Sequence, residues 1–236
     1  MAQPPRRPRN DPRQYDDLAH EWWQPDGEFA ALHWIAEARA ALVPLPRPGA
    51  RLLDLGCGGG LLAPHLPPGY RHIGVDVTAS ALSIAGAHGV EPVRADAAAL
   101  PFPDAAFDVV VAGEILEHVT DLRAAVAECC RVLAPHGKVV IDTIADTRWA
   151  RLSLVRVAER LPGGPPRYCH DPELFVAPDR LQALFLAGGV DLAVRGLAVH
   201  PLDYARFLLT RHGRVRMRPV RSVGGLYQAV GHKRTR

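Results

Sequence analysis

The sequence predicts an α/β domain: a doubly wound, mostly parallel seven-stranded sheet with helices on both faces. Three observations carry this expectation. From residue 51 to residue 144, short apolar runs alternate with helical stretches without a break. The first run, Arg51–Leu55, breaks into four glycines within five positions, Gly56, Gly58, Gly59 and Gly60. Twenty-two residues after Asp54, the run His72-Ile-Gly-Val-Asp76 ends in a second carboxylate. A strand, a glycine turn, a helix and an acid-terminated strand make a nucleotide-binding half-unit.

Taken in order, residues 1–14 read as a disordered arm, with four Arg, four Pro and nothing to bury. Residues 15–236 read as one domain. Within it, residues 15–48 hold three of the four tryptophans, and Leu32, Ile35 and Leu42 recur at helical spacing. Two short helices over the nucleotide fold are expected, either a plain packing cap or a lid whose aromatics stack on a substrate. Strands are expected at Arg51–Leu55, His72–Val75, Val90–Arg94, Phe107–Ala112 and Lys138–Ile144, with helices from Leu61, over Ser80–Ala87 and over Leu122–Leu133. Beyond Thr143 the pattern predicts helices Trp149–Leu161 and Pro178–Ala187 and strands Asp191–Leu197 and Gly225–Gly231. Pro201–Val223, with six Arg and no clear period, reads as an irregular insertion.

With 236 residues, 48% hydrophobic and 22% charged, the chain has the composition of a globular protein with one substantial core. The formal charge is only +3, although arginine clusters near both ends. Cys57, Cys129, Cys130 and Cys169 have no Cys-x-x-Cys spacing and read as free thiols in a reducing compartment. No run approaches the roughly 20 apolar residues of a membrane span, and the amino terminus lacks a signal-peptide core. The expected location is cytoplasmic.

A dinucleotide fingerprint needs a third glycine where this chain has Leu61. Asp54 also sits badly beside a diphosphate, whereas the ammonium of an amino-acid portion would suit it. Leu53-Asp-Leu-Gly-Cys-Gly-Gly-Gly60 resembles motif I of the class I S-adenosylmethionine (SAM) methyltransferases. Asp76 matches the acid that holds the ribose hydroxyls in that family, and Arg94-Ala-Asp96-Ala97 resembles the motif whose Asp meets the adenine amino group. The resemblance implies a Rossmann-like fold and SAM as the cofactor.

A closer resemblance is to the ubiquinone-biosynthesis O-methyltransferases. It rests on Ala19-His-Glu-Trp-Trp23 with Phe29, Leu32-His33 and Arg39, on Gly113-Glu-Ile-Leu-Glu-His-Val119, on Thr143-Ile-Ala-Asp-Thr-Arg148 and on Tyr168-Cys-His-Asp171. Where that family has Asn-Pro before the arginine, this chain has Glu37-Ala38, and Ala145-Asp146 stands where it has Asn-Arg. Together the resemblances imply Arg39, Asp54, Gly56, Cys57, Gly58, Asp76, Val77, Asp96, Ala97, Gly113 and Glu114 as cofactor-binding candidates. They also imply O-methylation of a small aromatic or quinone-like acceptor.

Methyl transfer to a phenol or catechol oxygen needs an aligned nucleophile and a base or metal to take the proton. Glu114, Glu117 and His118 are spaced i, i+3, i+4, so one helical turn would place them on a single face. The resemblance implies a divalent metal there, Mg²⁺ or a softer ion; His118 acting as a base without metal is the alternative. His170, followed by Asp171, is a second candidate base.

The Arg151–Leu161 stretch places Leu154, Val155, Ala158 and Leu161 on one helical face, suited to packing on the domain or to peripheral membrane contact. C- or N-methylation of a secondary metabolite stays open. So do an RNA-modifying protein of the same fold and a SAM-binding regulator without activity. Against nucleic acid, the aromatics gather away from the basic stretches.

Overall fold

The computed structural model describes residues 8–235. Eight strands form one sheet: β1 (Arg51–Leu55), β2 (Arg71–Asp76), β3 (Glu91–Arg94), β4 (Phe107–Gly113), β5 (Leu133–Ile144), β6 (Val190–Val199), β7 (Met217–Val220) and β8 (Leu226–Lys233). Their order is β3-β2-β1-β4-β5-β8-β6-β7. The run β3-β2-β1-β4-β5 is parallel, while β8 pairs antiparallel with both β5 and β6, and β7 antiparallel with β6. β1 and β4 lie at the middle, buried along nearly all their length, which explains their continuous apolar runs.

Among the described residues, seven α-helical segments accompany the sheet: α1 (Arg13–Asp17), α2 (Ala30–Ala40), α3 (Ala79–Ala87), α4 (Leu122–Val132), α5 (Arg148–Ala150), α6 (Pro178–Ala187) and α7 (Pro201–Thr210). In α4, Leu122, Ala125, Val126, Cys129 and Cys130 recur at helical spacing and are buried. Its first turn is capped by Asp121, whose carboxylate accepts from Ala124 N at 2.9 Å. The largest apolar cluster joins this face to Leu181 and Phe185 of α6 and to the underside of the sheet. All four cysteines are free and buried, Cys129 and Cys130 as packing residues of α4.

The structure corrects four expectations. The sheet has eight strands, because Pro201–Val223 is not an irregular insertion but supplies α7 and the edge strand β7. Its arginines are partly spent on ion pairs, Arg214 with Glu37 and Arg216 with Asp203. The expected helix from Leu61 is only a 3-10 turn, Ala63–His65, cut short by Pro64 and Pro67-Pro68. α5 runs on into a π-helix, Arg151–Val157, and a 3-10 turn, Ala158–Arg160. The wider π turn moves side chains off a 3.6-residue period, so Leu161 is exposed where the spacing placed it on the packed face.

The fourth correction concerns the arm. Its residues 1–7 lie outside the described residues, but within 8–14 Asp11 is buried and Arg9, Asn10 and Gln14 are half-buried. Asn10 N donates to Tyr168 O at 3.1 Å, and Arg9 pairs with the buried Glu159 at 2.9 Å. Composition undersold this stretch because its anchors are polar.

Candidate active site

Where β1 ends, the glycine turn is tied to β2: Gly56 N and Cys57 N both donate to Val75 O, at 2.8 and 3.0 Å. At the tip of β2, Asp76 accepts from Gly58 N at 3.0 Å through one oxygen and from Thr78 N at 2.8 Å through the other. The carboxylate is thereby fixed, and each oxygen retains capacity to accept again. Gly58 has φ +52°, and a Cβ there would lie 2.3 Å from the Trp22 ring. The turn therefore lies directly beneath the aromatic N-terminal segment.

That segment is both packing cap and cavity roof. Trp22 stacks on Phe29 with centroids 4.3 Å apart, and Tyr15 stacks on both at 6.0 Å. Together with Ala36, Leu61 and Ala81 these rings close an apolar cluster over the turn, and their undersides line the cavity below. Burial pushes the Tyr15 phenol well above its usual value, so it remains a neutral ring.

Arg39 projects from α2 across the end of β4. Its guanidinium makes a bidentate pair with Asp142 of β5, Nε to Oδ2 at 2.6 Å and Nη2 to Oδ1 at 2.7 Å. It lies flat on Gly113, where an added Cβ would meet its Cζ at 1.8 Å, so only glycine fits. Glu114 follows with φ +51°, its N–H donating to Asp142 O at 2.9 Å. Burial, then repulsion from Glu117 and Asp142, drives the Glu114 carboxyl well above the ordinary range, and Arg39 opposes the shift. Glu114 Oε1 is buried without a hydrogen-bond partner among the described residues.

Residues 114–118 form a turn and not the expected helical face; His118 N donates to Ile115 O at 2.9 Å. Glu117 points into the core, fully buried, and accepts from Thr143 Oγ1 at 2.7 Å. Burial is the main reason its pKa is raised. His118 instead faces the cavity, its ring stacked on His170 at 5.1 Å and edge-on to Tyr15 at 6.2 Å. Burial pushes His118 down to about 4 and His170 well below its usual value, so both imidazoles are uncharged at neutral pH.

These parts surround one cavity of about 810 Å³. All eleven cofactor candidates line it: Arg39, Asp54, Gly56, Cys57, Gly58, Asp76, Val77, Asp96, Ala97, Gly113 and Glu114. His118 and His170 line it as well, whereas Glu117 does not. Asp54 is also paired with His72 at 3.2 Å, and burial keeps the Cys57 thiol protonated.

The expected metal set of Glu114, Glu117 and His118 is not brought together. Among the described residues, the donor atoms that lie within 4.8 Å of one another are those of Glu117, His118 and His170. A second such group, Glu159, Cys169 and His170, has its carboxylate already paired with Arg9. The left-handed backbone at Glu114 turns that side chain toward Arg39 and Asp142 instead. Sequence reasoning also missed two residues. Asp142 was legible as an acid inside the apolar run Val139-Val-Ile-Asp-Thr143. Asn10, which meets His118 through both ends of its carboxamide, left no signal within a Pro- and Arg-rich arm.

Comparison with known proteins agrees with this geometry. Residues 53–141 match a family model described as a methyltransferase domain. A ubiquinone biosynthesis O-methyltransferase of Ralstonia nicotianae is 35% identical, over 83% of this chain and 87% of that protein. One of Hahella chejuensis is 34% identical, over 80% and 84%. Among solved structures, a SAM-dependent methyltransferase from Thermotoga maritima shares the fold with a TM-score of 0.67 at 19% identity, covering 94% of this chain and 97% of that one. Another from Aquifex aeolicus gives a TM-score of 0.57 at 15% identity, covering 94% and 98%. The chain is a SAM-dependent methyltransferase and belongs to the family of the ubiquinone biosynthesis O-methyltransferases.

Proposed function

We propose that the protein methylates a hydroxyl oxygen on a phenol, catechol or quinol-type small molecule. One observation carries the reading: the His118 imidazole lines the same cavity as the glycine turn and Asp76. Curated relatives named for ubiquinone biosynthesis support the acceptor class.

The residues present suit SAM. Asp76, held by two backbone N–H groups, would accept the ribose hydroxyls. Val77, an exposed apolar side chain, and Asp96 and Ala97 would frame the adenine. The unpartnered Glu114 Oε1 is a buried acceptor awaiting a donor, and an ammonium supplies one while favouring the charged carboxylate. The segment after the turn is no long helix, so it offers little of the dipole that a diphosphate exploits. When bound, SAM supplies an electrophilic methyl group.

The chain's own residues then do three things. The cavity walls hold the acceptor against the donor, which is the main requirement of an in-line displacement. The aromatic roof and the apolar side chain of Leu154 limit access of water. His118 takes the hydroxyl proton at Nε2 as the oxygen gains the methyl group.

The divalent-ion reading changes its donors. One carboxylate and two imidazoles, Glu117, His118 and His170, make a softer set than Mg²⁺ prefers. No step above passes through an ion. Exposed Trp149, Leu152 and Val157, with Arg148 and Arg156 alongside, support a peripheral contact with a membrane from a cytoplasmic location.

The test is product formation from SAM with catechols, phenols, quinols and matched amines, each with and without EDTA. Methylation of hydroxylated acceptors alone is expected. Transfer only to amines or to carbon would overturn the acceptor class, and full loss in EDTA would overturn the metal-free route.

A further inference from the structure

The Asn10 carboxamide spans two atoms of one residue. Its Nδ2 donates to the backbone carbonyl of His118 at 2.9 Å, and its Oδ1 lies 2.6 Å from His118 Nδ1. A carbonyl oxygen can only accept, so the amide nitrogen must be the end that faces it. Oδ1 is then the end facing the ring, and Oδ1 also can only accept. His118 Nδ1 must therefore carry the proton. In an uncharged imidazole this leaves Nε2 with a bare lone pair, and no hydrogen bond within the described residues occupies it.

Asn10 is itself held firmly. Its φ of +59° is a conformation that asparagine tolerates better than most residues, and its N–H donates to Tyr168 O at 3.1 Å. Next to it, Arg9 donates to His170 O at 2.7 Å and pairs with Glu159. Two consecutive residues of the arm thus grip both loops that carry the cavity's histidines. Tyr15 at the edge and His170 on the face of His118 leave the ring little room to turn over.

We propose that Asn10 is a positioning residue for methyl transfer: it holds His118 as the Nδ1–H tautomer, with the Nε2 lone pair presented to the acceptor hydroxyl. The inference rests on the reading of His118 as the proton acceptor. Asn10 acts through the ring it orients, by the two hydrogen bonds it makes with His118.

The full chain is labelled with ¹⁵N-histidine, and long-range ¹H–¹⁵N spectra assign the tautomer of each ring, His118 being identified by its loss in His118→Ala. Wild type should show a protonated Nδ1 and a bare Nε2. Asn10→Gly keeps the left-handed backbone accessible while deleting the carboxamide. It should shift His118 toward the Nε2–H form and lower kcat about tenfold or more, within the usual worth of a general base. SAM affinity should be unchanged. Asn10→Asp keeps an acceptor on Nδ1 and should retain the wild-type tautomer.

A protonated Nε2 in wild type, or an unchanged tautomer in Asn10→Gly, would overturn the proposal. Kinetics with the best hydroxylated acceptor separate it from the reading beneath it. Full kcat in Asn10→Gly with activity lost in His118→Ala overturns the role of Asn10 alone. Full kcat in both variants overturns His118 as the base.

Discussion

Replacing Arg39 with methionine should cost about 3–5 kcal/mol of folding stability at pH 8, the penalty for stranding a buried charge. The size follows from enclosure. The Arg39 side chain is 8% exposed and that of Asp142 0%, so neither water nor another cation can take over the two hydrogen bonds of 2.6 and 2.7 Å. Asp142 also has a carboxyl neighbour in Glu114, and Arg39 opposes the rise in that group's pKa. Removing Arg39 leaves a folded state that takes up more protons than the unfolded chain. Stability then falls as pH rises above the unfolded carboxyl value of about 4.3, so the loss should be smaller at pH 5.5 than at pH 8. Urea unfolding followed by tryptophan fluorescence reads both quantities. Adding Asp142→Leu should restore part of the loss, because an apolar pair leaves no charge stranded. A loss under about 1 kcal/mol at pH 8, or one independent of pH, would refute the reasoning.

Other variants probe the cradle and the proposed chemistry. Asp76→Ala removes the charged acceptor at the end of β2 and should weaken SAM binding about ten- to a hundredfold by calorimetry, the worth of hydrogen bonds to a charged group; unchanged affinity would remove Asp76 from the cofactor site. Gly58→Ala forces a Cβ to within 2.3 Å of the Trp22 ring at a positive φ and should destabilise the fold by about 1–3 kcal/mol. Combined with Trp22→Ala, its cost should be less than additive, since the clash partner is gone. His118→Ala should lower kcat by roughly 10²–10⁴-fold with little change in SAM affinity, and retained turnover would show that the hydroxyl loses its proton elsewhere.

The parallel half of the sheet was legible because β1 and β4 are buried on both faces and spell themselves as unbroken apolar runs. β7 was not: Met217-Arg-Pro-Val220 is a short edge strand with two exposed residues, and it shows no alternation. α7 carried a readable sign, Pro201 at its first position, which the arginines around it obscured. Where a helix was expected from Leu61, Pro64 and Pro67-Pro68 leave only a 3-10 turn.

In the site, the residues that motif spacing singled out, from the glycine turn to Gly113, line one cavity because the elements that carry them end on the same side of the sheet. Glu114 departed from its helical face because a left-handed backbone at a glutamate has no signature in residue type. Asn10 was hidden for a related reason: one carboxamide bridging 108 positions of sequence has no local pattern at all.

The most direct measurement follows the methyl group itself. The enzyme is incubated with SAM carrying a ¹³C-methyl and a catechol-type acceptor, and the labelled product is examined by NMR. Label is expected as a methoxy carbon on a hydroxyl oxygen, lost in His118→Ala. Label on nitrogen or ring carbon, or no transfer from SAM that is bound in the cavity, would contradict it.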